Sequence, residues 1–317
     1  MPPPQRIPQT RLIDAAARLV TVPPSQRQTA ARQLIRSAPE HGIDLSLIWG
    51  VIHPESNQVE QVCLLVPAAG RTGMLYLSAP NETIPDTDDQ HNNRVAVLKT
   101  AFQEIDQTLS NRVRLVQTLV GDNESWARRA CLDAGMSEIG TLAYLKRSVP
   151  RQPCNPVPLP QDITLRPAGD LNTPTNRQAL ATALERSYID TLDCPGLCDL
   201  REIDDVIDSH QATGAYDPAL WWVVEHAGEP HGALLLARYP DQSVMELVYI
   251  GFSPQLRARG LGRMLMEHAV RAASLAGVAE MTCAVDINNT SALHLYDRLE
   301  FRRFDARLAL VRPTASQ

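Results

Sequence analysis

Met245–Gly262 reads MELVYIGFSPQLRARGLG, and this stretch decides the fold of the C-terminal half. Its first part is rich in apolar, β-branched and aromatic residues and ends at Ser253-Pro254, which predicts a buried or half-buried strand. From Leu261 apolar residues recur at helical spacing until Gly277, which predicts a helix that begins directly after a glycine turn. Such a turn favours anions, because the first N–H groups of a helix have no partner and carry partial positive charge.

The turn itself carries two arginines and two glycines. Gly260 and Gly262 have no Cβ, so a phosphate can approach their N–H groups closely. Arg257 and Arg259 add positive charge. The pattern R-x-x-G-x-G after an apolar strand resembles the acyl-CoA pyrophosphate loop of the GNAT N-acetyltransferase superfamily.

A second pattern downstream strengthens this resemblance. Residues 281–286 read as another strand, and the residues after it resemble the family's N-x-x-A-x-x-L-Y-x-x-L-G-F. The matching positions are Asn289, Ala292, Leu295, Tyr296, Leu299 and Phe301. Glu300 stands in place of the usual glycine. The resemblance implies a GNAT fold for the C-terminal half, with acetyl-CoA as cosubstrate.

Composition excludes several classes of protein. The 317 residues carry a formal net charge of −6, which argues against a general nucleic-acid binder. No apolar run approaches the roughly 20 residues of a membrane span, and the start has no apolar signal-peptide core. The six cysteines form no C-x-x-C pair, which fits free thiols in a reducing cytoplasm. We therefore expect a cytoplasmic protein without membrane or nucleic-acid partners.

The order of predicted elements indicates two domains of the α/β (α+β) class. Helices, an antiparallel meander and then alternating helices and strands fill residues 1–147, and the same order returns in residues 162–317. Between them, residues 148–161 (SVPRQPCNPVPLPQ) hold five prolines and predict an extended linker. Each half is expected to be a mixed, mostly antiparallel sheet flanked by helices, and the tandem layout is similar to that of mycothiol synthases.

A shift of 165 residues aligns the ends of the two halves, for example Gly135 with Glu300. The same shift carries the glycine turn onto residues 92–97 (NNRVAV), at the start of a helix predicted from about Arg94 to Leu109, and it places Cys131 where Tyr296 stands. Carboxylates crowd the preceding loop: Glu82, Asp86, Asp88 and Asp89. We therefore expect the first half to be a degenerate GNAT-like domain that binds no acyl-CoA.

Two side chains are candidates for acid and base chemistry. An amine must be neutral to attack a thioester, so a general base near it helps, and Glu246 stands on the predicted strand at a spacing similar to the family's catalytic glutamate. The alternative to the base role is that Glu246 is only a solvated or ion-paired residue at the start of the strand. Tyr296 stands where the family places its tyrosine acid, which would protonate the leaving thiolate. Its alternative is a helix tyrosine packed on the sheet.

The resemblance also assigns the cofactor-binding residues. Main-chain N–H groups of Ile250, Gly251 and Phe252 would polarise the thioester carbonyl where two parallel strands separate. The pyrophosphate would bind Arg257, Arg259, Gly260, Leu261 and Gly262. Asn289 matches an asparagine that begins the next helix and touches CoA, and it also fits a plain N-cap.

The acceptor side is predicted from one loop. In the family, the loop between the first two helices covers the acceptor, and here it is residues 188–200. Tyr188, Asp190 and Asp193 are its candidate substrate-binding residues, since carboxylates suit a cationic amine. Two cysteines in this loop lack further ligands at zinc spacing, so no metal is expected.

These observations predict an acetyl-CoA-dependent N-acetyltransferase that transfers an acyl group directly to a primary amine of a small molecule or peptide. Two alternatives stay open. One is an acyl-CoA-binding sensor without turnover, which would need neither Glu246 nor Tyr296. The other is an enzyme acting on a small thiol aminosugar conjugate.

Overall fold

The computed structural model describes residues 2–80 and 87–315 of the chain. The chain divides into two compact units, Met1–Ile139 with Leu308–Gln317 and Gly140–Arg307. Among the described residues, none of the helices is both long and apolar enough to cross a lipid bilayer.

In its described residues, the first unit contains a mixed sheet and four α-helices. Its elements are β1 (Gln5–Arg6), α1 (Leu12–Leu19), α2 (Arg27–Ser37), β2 (Ile48–Ile52), β3 (Val59–Ala68), β4 (Thr72–Leu77), α3 (Asp88–Thr108), β5 (Leu115–Gly121), α4 (Ser125–Asp133) and the end of β12 (Arg302–Pro313). Strands β1 to β4 pair antiparallel in chain order, and β5 runs parallel to β4. The end of β12 lies beside β5.

The second unit repeats this plan. Its elements are β6 (Ser137–Ser148), β7 (Ile163–Pro167), α5 (Pro174–Tyr188), α6 (Ile203–Gln211), β8 (Trp221–His226), β9 (Glu229–Tyr239), β10 (Val244–Phe252), α7 (Leu261–Leu275), β11 (Glu280–Asp286) and α8 (Thr290–Arg298). The strand order is β6-β11-β10-β9-β8-β7, and only β10 and β11 pair parallel. The predicted α/β class, with mostly antiparallel sheets, is confirmed.

Helices α5 and α7 cover opposite faces of the second sheet. Trp222 of β8 meets His268 of α7, with ring centroids 4.8 Å apart. The hydroxyl oxygens of Tyr249 of β10 and Ser187 of α5 lie 2.6 Å apart. Tyr249 and Trp221 of β8 both lie opposite Leu235 of β9, so they share one face of the sheet. Because neighbouring residues of a strand point to opposite faces, the two helices lie on different sides of the sheet.

The strand β6 belongs largely to the second unit. Residues Leu142 to Ser148 pair antiparallel with Asp286 to Glu280 of β11, and Ala143 and Leu145 are buried in that core. The sequence assigned this strand to the first domain, residues 1–147, because it follows α4 in the chain. In the structure it completes the second sheet instead. Residues 149–160 of the predicted linker contain no helix or strand.

The internal repeat holds from β5 onward. The bounds of β5 and β11, of α4 and α8, and of β6 and β12 each differ by 165 (280 − 115, 290 − 125 and 302 − 137). Both halves therefore end in the same strand–helix–strand unit. This agreement supports the tandem arrangement expected from the sequence.

The same shift is wrong at the glycine turn. Helix α3 begins at Asp88, so residues 92–97 lie inside it and form no loop. Its N-cap is Thr87, whose hydroxyl accepts the N–H of Gln90 at 3.3 Å, and Asp88 and Asp89 occupy its first turn. The helix starts earlier than predicted because Thr87 provides a cap that the alignment overlooked. The predicted acidic residues Glu82 and Asp86 lie outside the described residues.

Candidate active site

A cleft opens where the two parallel strands of the second unit separate. Strands β10 and β11 pair from Val244 opposite Glu280 to Leu247 opposite Cys283, and the pairing stops there. On its other edge β10 stays paired with β9, with a register shift between Leu247 and Tyr249 that marks a bulge. The result is a V-shaped cleft of about 500 Å³ whose apex is Leu247.

Main-chain N–H groups of β10 point into this opening. The N–H of Ser253 donates to the carbonyl of His231 at 2.7 Å, which makes these residues a hydrogen-bonded pair with β9. Such pairs alternate along antiparallel strands, so Gly251 also bonds to β9 while Ile250 and Phe252 direct their N–H groups to the other edge. All three residues that the sequence suggested as donors to a thioester carbonyl line the cleft, and the N–H groups of two of them, Ile250 and Phe252, point into it.

Gly251 is required by a neighbour that the sequence analysis did not single out. A Cβ on Gly251 would lie 2.2 Å from the hydroxyl oxygen of Tyr249. Tyr249 is held by its hydrogen bond to Ser187 and by edge-to-face packing on Tyr188, with centroids 5.6 Å apart. Tyr249 therefore forms a fixed wall of the cleft, and Tyr188, a predicted substrate-binding residue, supports that wall. A glycine two residues after a tyrosine on one strand was the available signal.

The glycine turn leads into a helix whose N-terminus faces the cleft. Gly260 is the N-cap of α7 with φ +78°, and no side chain caps this helix. Gly260, Leu261 and Gly262 all line the cleft. A Cβ on Gly262 would meet only Leu295, at 3.2 Å. The first N–H groups of α7 are thus open to a ligand, which suits a pyrophosphate.

The two arginines of the turn are occupied by protein groups. Arg257 donates to four main-chain carbonyl oxygens: those of Phe252 (3.1 Å), Asp190 (2.9 Å), Ser187 (2.9 Å) and Ile189 (2.5 Å). Arg259 pairs with the carboxylate of Asp162 at 2.6 Å. Arg257 therefore fixes the end of α5 and the loop after it. That either arginine binds the pyrophosphate stays a prediction.

Tyr296 and Asn289 of the downstream motif both line the cleft. Tyr296 lies on α8, is only 4% exposed, and packs against Phe301 with centroids 5.4 Å apart. Burial raises the pKa of its phenol well above the ordinary value, so the hydroxyl keeps its proton. Asn289 is the N-cap of α8, since its side-chain oxygen accepts the N–H of Ala292 at 3.2 Å. Its predicted capping role is observed.

Glu246 does not share this wall of the cleft. It lies on β10 one residue before the apex, opposite Ala237 of β9 and Thr282 of β11. Its side chain points to the face of the sheet that α5 covers, whereas Leu247 points to the other face. Burial raises the pKa of Glu246, and a hydrogen bond with the hydroxyl of Tyr239 offsets part of that shift. The structure places Glu246 beside the apex and Tyr296 within the cleft.

The predicted acceptor loop forms another wall. Helix α5 ends at Tyr188 because the next residue, Ile189, leaves the helical range with ψ 123°, and Asp190 follows in a left-handed conformation with φ +51°. The carboxylate of Asp193 accepts the N–H of Asp286 at 2.8 Å, and the carboxylate of Asp286 accepts the N–H of Cys194 at 3.3 Å. Burial raises the pKa of Asp193. Asp190 and Asp193 both line the cleft, so an acceptor amine can meet them there.

The described residues hold no cluster of three or more histidine, cysteine, aspartate or glutamate side chains arranged to bind a metal ion.

Comparisons with known proteins place these residues in a family. Residues 183–301 match the Acetyltransferase (GNAT) family. A mycothiol acetyltransferase of Gordonia bronchialis is 31% identical over 100 residues, which cover 31% of this chain and 32% of that protein. A mycothiol acetyltransferase of Streptomyces griseus is 26% identical over 183 residues, covering 56% and 55%. The chain thus spans about a third to about half of the length of these relatives.

The fold of almost the whole chain has a solved counterpart. The crystal structure of a GCN5-related N-acetyltransferase from Sphaerobacter thermophilus aligns with a TM-score of 0.60 at 17% identity, covering 98% of this chain and 95% of that one. The family match spans Glu246, the glycine turn and Tyr296. Residues 183–301 therefore resemble GNAT acetyltransferases in sequence, and the tandem arrangement of the chain resembles that of mycothiol synthase.

Proposed function

We propose that the protein is an acetyl-CoA-dependent N-acetyltransferase that moves the acetyl group directly to a primary amine in a ternary complex. The observation that carries this proposal is the cleft between β10 and β11. It joins the uncapped N-terminus of α7, the N–H groups of Ile250 and Phe252, and the phenol of Tyr296 in one continuous opening. Along CoA, three groups carry or develop negative charge: the pyrophosphate, the carbonyl oxygen and the leaving thiolate. The N-terminus of α7, the N–H groups of β10 and the phenol of Tyr296 suit them in that order.

The pyrophosphate binds at the start of α7, and the pantetheine arm runs along β10 toward the apex at Leu247. The thioester carbonyl then lies near the N–H groups of β10, which stabilise the oxyanion as the tetrahedral intermediate forms. Tyr249 and Gly251 keep this wall smooth, because the tyrosine ring occupies the space that a side chain at 251 would take. The acyl carbon is thereby presented at the apex of the V.

Proton transfers complete the reaction. The acceptor enters as an ammonium ion and gives up a proton, which Glu246 accepts directly or through a water. Its raised pKa brings this carboxylate nearer to neutral pH, where a base is most effective. The nitrogen attacks the carbonyl carbon, the C–S bond breaks, and Tyr296 donates its proton to the thiolate. The second proton lost by the nitrogen restores Tyr296, and the proton held by Glu246 passes to solvent, so the products are an amide, CoA thiol and one proton.

The relatives named mycothiol acetyltransferase suggest one class of acceptor. A small aminosugar conjugate that carries a thiol belongs among the amines to be tested. Asp190 and Asp193 on the cleft wall are the proposed partners for the cationic group of the acceptor before it reaches Glu246, and Tyr188 supports their loop. We place the activity in the cytoplasm, since the six cysteines include no C-x-x-C pair.

The test is release of CoA thiol across amine classes: polyamines, amino acids, aminosugars, aminoglycosides and N-terminal peptides. We expect at least one class to be acetylated, and Tyr296→Phe to lower kcat by about 10²-fold with the amine KM unchanged, as for a lost general acid. Tight acetyl-CoA binding without release of CoA for any amine would instead identify an acyl-CoA-binding protein. Full activity of Tyr296→Phe would remove the tyrosine from the mechanism.

A further inference from the structure

The face of the sheet that carries Glu246 continues onto two neighbouring strands. Glu246 lies opposite Thr282 of β11, and Ala284, two residues on, lies opposite Tyr144 of β6. Residues two apart on a strand share a face, and directly opposed residues do too. Thr282, Ala284 and Tyr144 therefore lie on the same side of the sheet as Glu246. Cys283 lies on the other side, in the core.

This part of the face is open rather than covered by a helix. Helix α5 packs mainly against β8, β9 and β10. Ala284 is exposed and also lines the cleft, so the cleft continues onto this face at the first position beyond the paired part of β11. An acceptor that approaches here meets the apex of the V beside Glu246.

Two aromatic rings border this opening. Tyr144 is half-buried, and Phe304 of β12 is 54% exposed and packs edge-to-face on it, with centroids 6.2 Å apart. Among residues 140–307, all of which the structure describes, no hydrogen bond engages the Tyr144 hydroxyl. The Nζ of Lys146 lies 5.4 Å from the centroid of Phe304, so the aromatic pair already contacts one ammonium group.

The charges of this face leave one carboxylate without a cation. Lys146 pairs with Glu280 at 3.2 Å, and Arg307 pairs with Asp305 at 2.9 Å. Within the fully described residues 140–307, Glu246 forms no ion pair. Tyr144 lies within electrostatic range of it: burial raises the pKa of the Tyr144 phenol, Arg307 lowers it, and Asp305 and then Glu246 raise it. The face therefore offers an unpaired negative charge next to an aromatic surface.

We infer that this face is the acceptor subsite, and that it takes a primary ammonium at Glu246 whose attached ring or apolar body packs over Tyr144 and Phe304. The inference rests on the proposed acetyl transfer for its reactive end, and it names the class of acceptor as a ring-bearing amine. It also gives β6 a functional role. This strand precedes the linker in the chain, yet it supplies a side chain of the acceptor site.

The first experiment measures binding without turnover. Benzylammonium and methylammonium are titrated into the full-length protein by ligand-observed NMR, with wild type, Tyr144→Ala, Glu246→Gln and Tyr76→Ala. Tyr76 is the matched control, because it is a 52% exposed tyrosine on β4. We expect wild type and Tyr76→Ala to bind benzylammonium about five- to tenfold more tightly than methylammonium. This is the range expected when a ring stacks on an aromatic side chain and a cation loses water beside it. Tyr144→Ala should abolish this preference, and Glu246→Gln should weaken binding of both ions.

Equal affinity of wild type for the two ions, or a preference that survives Tyr144→Ala, would overturn the inference. The second experiment separates this outcome from failure of the proposed function. CoA release is measured with benzylamine and methylamine at saturating acetyl-CoA, and we expect the KM of benzylamine to rise in Tyr144→Ala with the KM of acetyl-CoA unchanged. Ring-selective binding without CoA release would contradict the proposed acetyl transfer but support the acceptor subsite. Equal use of both amines would refute the subsite but support the proposed acetyl transfer.

Discussion

Replacing Arg257 with alanine is expected to destabilise the second unit even when no acetyl-CoA is present. The guanidinium donates four hydrogen bonds to main-chain carbonyls, and these bonds join the end of β10 to the end of α5 and the acceptor loop. Hydrogen bonds of this kind contribute about 0.5–1.5 kcal/mol each, and these are partly exposed, so the low end of that range applies. We expect a loss of about 2–4 kcal/mol in the free energy of unfolding.

The assay is thermal unfolding of the ligand-free protein, followed by calorimetric titration with acetyl-CoA. For a unit of this size, 1 kcal/mol shifts Tm by about 2–4 °C, so a loss of about 2–4 kcal/mol should lower Tm by roughly 4–16 °C. Arg257→Lys should lose most of the same stability, because an ammonium keeps the charge but lacks the planar fork that reaches several carbonyls. Arg259→Ala is the control, since its partner Asp162 is an exposed carboxylate and Tm should change little.

The opposite pattern would refute the structural role of Arg257. If Arg257→Ala unfolds at the wild-type temperature but binds acetyl-CoA far more weakly, the side chain is a phosphate ligand. A steep salt dependence of binding that disappears in the variant would point the same way. The prediction from the sequence, that Arg257 binds the pyrophosphate, would then be correct despite its carbonyl contacts in the ligand-free structure.

Three further outcomes follow from the site, and one from the fold. Gly262→Ala should weaken acetyl-CoA binding in calorimetry by at least about tenfold, the equivalent of one lost hydrogen bond, without lowering Tm; unchanged affinity would make the turn merely structural. Glu246→Gln should lower kcat by about 10²-fold at neutral pH. In wild type the rate should fall as pH falls through the raised pKa of Glu246, because only the carboxylate is a base, and the variant should lack this limb. Acetyl-CoA should bind the full-length chain with a stoichiometry of one, since the α3 N-terminus holds a Thr87 cap and two aspartates; two equivalents would contradict this. Glu300→Gly should raise the unfolding free energy in urea by about 0.5–1 kcal/mol, because Glu300 has φ +64°, and an unchanged midpoint would show that its backbone is unstrained.

Local patterns predicted the fold of the second unit well. The strand Val244–Phe252, the glycine turn and α7 could be predicted because a strand, a helix start and a phosphate-binding turn each leave a short-range signal in the chain. Asn289 was predicted as a cap, and it is one, since capping depends on a residue and the N–H three positions later.

Long-range pairing was beyond this reasoning. The partner of β6 is β11, more than 130 residues away, and nothing in either strand's own sequence encodes that choice. The partners of Arg257 were missed for the same reason, because a charged residue in a glycine turn looks like a phosphate ligand until the carbonyls around it are known. The start of α3 was misplaced because the alignment assumed that both halves keep one loop length.

In the acceptor loop, residues 188–200, the contacts that hold the loop in place are largely separate from the side chains that would select an acceptor. Arg257 holds the loop through main-chain carbonyls, and Asp286 holds it through the N–H of Cys194, so neither contact depends on which side chains the loop carries. Three side chains of the loop add contacts of their own: Asp193 on the N–H of Asp286, Thr191 on the N–H of Asp193, and Tyr188 on the ring of Tyr249. Because carbonyls and N–H groups belong to every residue except for the missing N–H of proline, side chains elsewhere in the loop can change without moving it. The loop can therefore adapt to different acceptors while both edges of the cleft stay in place.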